Sequence, residues 1–178
     1  MAGGGAVEVH VVRTGDLTED RLARIRVLLV DAFGGGFSDD DWAHALGGWH
    51  VLAGDQAHAA VIERTIEVGG RPLQAGYVEA VATAPALQGR GLGSTIMRRV
   101  GDLLRERFEL GVLSTGRHGF YERLGWERWQ GPSYVRDGDS VVRTEDEDDG
   151  IMALRYGTTA RLDLAASITC ESRSGDDW

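Results

Sequence analysis

The order of polar and apolar residues predicts an α/β chain, a mixed sheet with helices on its faces. Three observations carry that expectation. Two alternating stretches, 58–68 and 73–83, are joined by Gly69-Gly70, a hairpin signal. Leu92 to Arg107 carries an apolar stripe of Leu92, Ile96, Val100, Leu103 and Leu104 at helical spacing. That helix lies between two strands, so one strand–helix–strand unit interrupts an otherwise hairpin-connected chain.

Each element follows from local signals. Residues 7–13 read as a strand, with Val7, Val9 and Val11 alternating with Glu8 and His10. Thr18 is the expected N-cap of the first helix, with Glu19 and Asp20 where anions suit the dipole. Leu22, Ile25, Leu28, Leu29, Ala32 and Phe33 form its stripe, and Gly34-Gly35-Gly36 ends it. Ser38 and Asp41 have capping-box spacing for a short helix from Asp39 to Leu46. Trp49 to Ala53 and His58 to Val68 read as strands; in the second, Ile62, Ile66 and Val68 share one face and Glu63, Thr65 and Glu67 the other.

Leu73 to Thr83 is a further strand, and its apolar end on both faces predicts a central position. Phe108 to Ser114 is a strand, His118 to Leu124 a short helix, and another strand starts at Trp126. Gly131 to Gly150 is polar and acidic and reads as a loop; Ile151 to Tyr156 and Ala160 to Cys170 read as closing strands. With 178 residues, no repeat and no linker, residues 1–178 are expected to form a single domain.

Composition excludes several classes of function. All 19 basic residues are Arg, and the chain has neither Lys nor Asn. A lysine Schiff base and a Walker-type lysine are therefore ruled out. The net charge of −9 opposes nucleic-acid binding and suits a cationic ligand. The one cysteine, Cys170, excludes an internal disulfide and a Cys-rich metal site. The five histidines show no ligand spacing, so no metal is expected; His44, His50 and His118 read as structural. No apolar run approaches the roughly 18–20 residues of a membrane span. The start has no basic segment followed by an apolar one, so a cytoplasmic location is the expectation.

The most informative stretch is Gly76 to Ser94. A buried strand ends at Val81-Ala82-Thr83, and Gln88-Gly89-Arg90-Gly91-Leu92-Gly93-Ser94 opens the long helix. Glycines let several backbone N–H groups point one way, the helix N-terminus adds positive potential, and Arg90 adds a full charge. Together they suit a pyrophosphate. Gly89, Gly91 and Gly93 give G-x-G-x-G rather than the dinucleotide fingerprint G-x-G-x-x-G. A tight, closely packed turn is the alternative.

Gln88-x-x-Gly91-x-Gly93 after Val81-Ala82-Thr83 resembles motif A of the GNAT acyltransferases. Gly119-Phe120-Tyr121-Glu122-Arg123-Leu124-Gly125-Trp126 resembles their helix-to-last-strand segment. Phe37 to His50, Gly76 to Glu79, Gln130 to Ser133 and the ending Ser174 to Trp178 are similar to the aminoglycoside 2′-N-acetyltransferases, almost end to end. The resemblance implies the GNAT fold: a mixed, mostly antiparallel central sheet, splayed between two parallel strands and flanked by helices. It implies acetyl-CoA as co-substrate, no metal, direct acetyl transfer to the 2′-amine of an aminoglycoside, and a homodimer. The Trp at the matching last position implies a complete chain.

The resemblance also assigns residues. Val81, Thr83, Gln88, Gly89, Arg90, Gly91, Leu92, Gly93 and Ser94 would bind the cofactor, the amide near Val81 polarising the thioester carbonyl. Glu79 would be the general base, acting through a water, and Tyr121 the general acid toward coenzyme A. Both residue types suit those tasks. A partly buried carboxylate has a pKa raised toward that of a base. A phenol with a pKa near ~10 is protonated at neutral pH and can donate to a thiolate. A structural Glu paired with Arg, and a core aromatic beside Phe120, are the alternatives.

Ser114, Asp41, Asp148, Asp176 and the carboxylate of Trp178 would bind the aminoglycoside; for Ser114 a turn serine is the alternative. Asp39, Asp40, Glu145 and Asp146 read as solvated. Gly36 departs from the family, which usually carries an acidic residue before the Phe of Phe37, and the loop from Thr115 to Gly119 is short. Two rival functions stand beside this one: a GNAT enzyme for another small amine, and a protein that binds acyl-CoA or sequesters the drug with weak turnover.

Overall fold

A computed structural model describes residues 7–178. Its strands are β1 (His10–Arg13), β2 (Trp49–Ala53), β3 (Ala57–Val68), β4 (Arg71–Thr83), β5 (Leu110–Ser114), β6 (Glu127–Arg128), β7 (Ser133–Asp137), β8 (Ser140–Arg143), β9 (Ile151–Arg155) and β10 (Ile168–Glu171). Its α-helices are α1 (Glu19–Phe33), α2 (Asp39–His44), α3 (Leu92–Arg107) and α4 (His118–Glu122). The chain divides into two compact units, one of residues up to Val61 together with Glu79–Val100, the other of Ile62–Val78 and Gly101–Trp178. β3, β4 and α3 run through both.

In the first unit the capping signals act as the sequence predicts. The Thr18 hydroxyl accepts from the Arg21 N–H at 3.2 Å and starts α1, and Gly34 ends it at a φ of 62°. Ser38 and Asp41 form the reciprocal capping box of α2. Ile25 and Leu29 of α1 pack with Leu52 of β2 and Ala82 of β4. β1 runs antiparallel to β2, and β2 to the first half of β3, from Trp49↔Val61 to Ala53↔Ala57.

In the second unit the strands run in the order β6-β9-β5-β4-β3-β10-β7-β8. Two pairs, β4–β5 and β10–β7, are parallel, and β10–β3, β5–β9, β6–β9 and β7–β8 are antiparallel. The β4–β5 ladder covers Ala75↔Leu110 to Tyr77↔Val112 only. Ile66, Leu73, Tyr77, Leu110, Val112, Trp129, Ile151, Ile168 and Trp178 form its core. This is the mixed, mostly antiparallel α/β architecture expected.

Three expectations are corrected. β1 begins at His10, opposite Leu52, so residues 7–9 are not strand. Gly131 to Gly150 is not a loop throughout, because β7 and β8 form a hairpin there. Asp137↔Ser140 closes a two-residue turn, Gly138-Asp139, whose positive φ at Gly138 matches a type II′ turn. Residues 160–167 are not strand. Their period-two apolar residues, Leu162, Leu164 and Ala166, do pack on the core, but their carbonyls are satisfied one by one. Leu164 accepts from the Gln130 and Gly131 N–H groups, and Ala166 from the Trp129 indole.

Candidate functional site

In the first unit, β4 ends in an irregularity. Ala80 has a φ of 49°, the one non-glycine residue in the left-handed region among those described. Its carbonyl accepts from His58 Nδ1 at 2.8 Å. Glu79, Val81 and Thr83 around it are partly buried, and Glu79 Oε1 is enclosed. The strand then turns: the Ala84 N–H bonds the Gln56 carbonyl at 2.8 Å, and Gln88 Nε2 donates to the Thr83 carbonyl at 3.2 Å.

Gly89 and Gly91 follow with φ of 75° and 83°. A side chain at either would meet nothing within 4 Å, so backbone conformation and not crowding calls for glycine. The Thr95 N–H bonds the Gly91 carbonyl at 3.1 Å. The amides of Leu92, Gly93 and Ser94 before it have no intrahelical acceptor. The first turn of α3 carries no acid, and Arg90 is exposed. This exposed turn, with its amides and one guanidinium, fits a diphosphate. Asp41 lies elsewhere in the unit. Its Oδ2 accepts from the Ser38 N–H and hydroxyl at 2.7 and 2.8 Å, so one oxygen is committed to the cap.

In the second unit, Ser114 ends β5 against Gly150. A Cβ on Gly150 would stand 2.7 Å from Ser114 Oγ, so glycine there leaves the hydroxyl its room. Tyr121 lies in α4, its ring edge-on to Phe120 at 4.9 Å and to Trp126 at 6.1 Å. Burial pushes its phenol up to about 12, against the opposing charge of Arg117.

Asp148 accepts from the Ser133 N–H and hydroxyl at 2.9 and 2.7 Å and from both terminal nitrogens of Arg143. The Arg143 hydrogen bonds, together with those of Ser133, hold its carboxyl down at about 2. Glu147 behaves oppositely. Burial, and then the charges of Asp176, Asp146 and Asp177, push it above the usual carboxylate range. Sequence reasoning does not single out Glu147, because two of its three acidic neighbours, Asp176 and Asp177, come from about thirty residues further along the chain.

The end of the chain is docked. Trp178 is buried in the core and its indole donates to Thr144 Oγ1 at 3.2 Å. Arg64 donates to the carbonyls of Asp177 and Glu171 at 2.6 and 2.7 Å. Arg173 Nε donates to the Asp176 carbonyl at 2.7 Å. Thr144 also meets Ser133, so Asp148, Ser133, Thr144 and Trp178 form one linked group.

The family model of the acetyltransferase (GNAT) domain matches residues 51–129, the span that holds Glu79, the glycine-rich turn and Tyr121. The chain is 40% identical over 186 residues to the aminoglycoside 2′-N-acetyltransferase of Mycolicibacterium fortuitum, covering 100% of this chain and 95% of that one. The chain belongs to the GNAT acetyltransferases. Solved structures carry the same fold. A GNAT family N-acetyltransferase from Escherichia coli, in complex with CoA, superposes with a TM-score of 0.65 at 15% identity, over 93% of this chain and 91% of that one. A GCN5-related N-acetyltransferase from Kribbella flavida gives 0.56 at 26% identity, over 70% of this chain and 34% of that one, so this chain spans about a third of its length.

Among the described residues of this acetyltransferase, no group of three or more His, Cys, Asp or Glu is placed to hold a metal ion. No described helix is long and apolar enough to cross a membrane.

Proposed function

We propose that this GNAT acetyltransferase moves the acetyl group of acetyl-CoA to the 2′-amine of an aminoglycoside. The observation that carries the reading is the 40% identity, end to end, with an enzyme of that name. The chemistry of the chain supports it. A net charge of −9 and the mutually repelling carboxylates of Glu147, Asp176 and Asp177 suit a polycation.

Acetyl-CoA supplies an acetyl thioester and a diphosphate. In this reading Gln88, Gly89, Arg90, Gly91, Leu92, Gly93 and Ser94 hold the diphosphate, and Val81 and Thr83 offer backbone groups to the pantetheine arm. The Val81 N–H stabilises charge that develops on the thioester oxygen. Glu79 takes a proton from the acceptor ammonium through a water. Tyr121 gives its proton to the departing thiolate sulfur, and burial of the phenol keeps that proton in place at neutral pH. The amine nitrogen bonds the acetyl carbon and the carbon–sulfur bond breaks, with no acyl-enzyme.

In this reading Ser114, Asp176 and the Trp178 carboxylate bind the sugar together with Asp41 of the first unit, and Glu147, which feels the charge of Asp176, adds to the acidic character of the second unit. Asp148 anchors the tail in this reading, because Arg143 balances its charge. A single domain, a homodimer and a cytoplasmic location belong to the same proposal.

Thiol release tests it. Tobramycin, which has a 2′-amine, is turned over and acetylated there, whereas kanamycin A, which has a 2′-hydroxyl, is not. Equal turnover of the two would overturn the regiochemistry. Turnover of polyamines alone would overturn the substrate class.

A further inference from the structure

We propose that His58, supported by His50 and Thr14, is a positioning residue that fixes and polarises the Ala80–Val81 peptide through a one-way chain of hydrogen bonds. The inference rests on the reading that the Val81 N–H faces the thioester oxygen.

Three contacts make the chain. His58 Nδ1 lies 2.8 Å from the Ala80 carbonyl, His50 Nδ1 lies 2.9 Å from His58 Nε2, and Thr14 Oγ1 lies 2.8 Å from His50 Nε2. Both imidazoles are fully buried. Their positions follow from strand register: His50 pairs with Ala60 and His58 with Leu52, which makes the two histidines diagonal neighbours on β2 and β3.

Proton positions then follow by elimination. A carbonyl only accepts, so His58 Nδ1 carries hydrogen. In a neutral ring Nε2 of His58 must accept, so His50 Nδ1 donates. His50 Nε2 must then accept, and the single Thr14 hydroxyl hydrogen goes to it at 2.8 Å rather than to the Gly48 carbonyl, the longer contact at 3.3 Å. Neutrality agrees with burial, which lowers His50 to about 4 and His58 to about 3. The Gly47 N–H donates to Thr14 Oγ1 at 3.0 Å and completes the head of the chain.

The chain ends on a peptide that matters. The Ala80 carbonyl and the Val81 N–H belong to one trans peptide unit and point to opposite sides. A donor on the carbonyl withdraws charge toward that oxygen and strengthens the N–H beyond it. Hydrogen bonds aligned in one direction reinforce each other in this way. The same bond holds Ala80 at a φ of 49°, where a residue with a Cβ is disfavoured. Two buried imidazoles are an expensive filling for a core that alanine, valine or leucine could occupy, and the direction of the chain gives them a task.

The test has a part that needs no substrate. Nitrogen-15 spectra of the enzyme at neutral pH should show His50 and His58 both as neutral Nδ1–H tautomers. An Nε2–H tautomer or a charged ring at either position overturns the proposal. Isotope-edited infrared spectra of bound acetyl-CoA then separate the relay from the reading beneath it. The parent should lower the thioester carbonyl frequency relative to free acetyl-CoA.

His58→Phe should lose most of that lowering and reduce kcat by roughly tenfold or more, within the loss seen when an oxyanion donor is removed. Its KM for acetyl-CoA should change far less than kcat. His58→Asn, which can keep an N–H near the Nδ1 position but lacks the Nε2 link to His50, should restore part of both signals. An unshifted carbonyl in the parent means that Val81 does not face the thioester. A shifted parent with an equally shifted, folded His58→Phe overturns the relay alone. If His58→Phe does not fold, Thr14→Val removes the hydroxyl at the head of the chain and should give a smaller loss in the same two signals. Unchanged signals in a folded Thr14→Val variant then overturn the relay.

Discussion

Arg64 grips Asp177 by its main-chain carbonyl, 2.6 Å away, and not by its carboxylate. The tail is therefore held by Arg64 through its main chain, while the Asp177 carboxylate accepts from the Arg173 N–H at 2.8 Å. Deleting Trp178 should raise the aminoglycoside KM more than the acetyl-CoA KM, because the terminal carboxylate shifts to Asp177. The variant should also melt lower, since a buried Trp is worth about 3–5 kcal/mol when truncated. Steady-state kinetics with both substrates and a thermal melt check this; two unchanged KM values in a folded variant would remove the tail from binding.

Tyr121→Phe removes a hydroxyl and keeps the packing against Phe120 and Trp126. Turnover should fall by about 10²–10⁴-fold with little change in acetyl-CoA affinity. In the parent the phenol stays protonated until about pH 12, so a basic limb near pH 8–9 would not belong to it. A parental rate, measured where chemistry limits, would remove Tyr121 from the mechanism.

Glu79→Gln keeps shape and loses the proton acceptor. The rise of kcat/KM with pH should flatten or move. A profile that overlays the parent's would assign the base to another group.

Gly36, unlike Gly34 and Gly35, does not have a positive φ, so its backbone accepts a side chain. An added Cβ would meet only the Phe33 carbonyl, at 3.4 Å. Gly36→Asp should therefore fold normally and supply the acid the family usually carries there. Binding of the aminoglycoside should tighten roughly tenfold, about 1.4 kcal/mol, and less at high salt. Calorimetric titration with unchanged or weaker affinity would show that the acceptor does not reach this position.

Acid should destabilise the fold in two steps. His50 and His58 are held below their ordinary value of 6.5, at about 4 and about 3. The unfolded chain therefore binds their protons first. Their contribution is complete above pH 6.5 and is lost as pH falls toward 4 and 3. Asp148, held at about 2 against an ordinary 3.8, adds a loss below pH 4. Melting temperature should fall from pH 6.5 downward, and a folded His50→Gln variant should show a shallower fall. An unchanged slope would mean that His50 binds its proton equally well in the folded and unfolded chain.

The sequence made the glycine-rich turn before α3 legible because its signals are local. The positive φ at Gly89 and Gly91, the stripe of α3 and the caps at Thr18 and Ser38 each depend on a few neighbours in the chain. What escaped depends on register or on a partner brought from elsewhere. Leu162, Leu164 and Ala166 alternate like a strand, yet their carbonyls find separate donors. The β7–β8 hairpin resembles a loop in sequence because acidic and polar residues dominate 131–150, and the apolar pair of β8, Val141 and Val142, is exposed rather than alternating into a core. His50 and His58 become partners only through the diagonal of β2 and β3, and Glu147 gains its acidic surroundings from a tail about thirty residues further along. The partners of Asp148 are likewise not legible in sequence, because Ser133 and Arg143 reach its carboxylate only through the β7–β8 hairpin.

The cations that clamp the tail and brace Asp148 are guanidiniums, as is every side-chain cation in a chain without lysine apart from its histidines. A guanidinium keeps its proton at every physiological pH and offers no lone pair to an activated ester. A lysine amine in the same places would be a nucleophile, open to acylation by the very donor the enzyme handles. Because its latches are arginine, the protein presents no ε-amine that could be consumed in place of the substrate, and prolonged exposure to the donor leaves its holding contacts chemically intact.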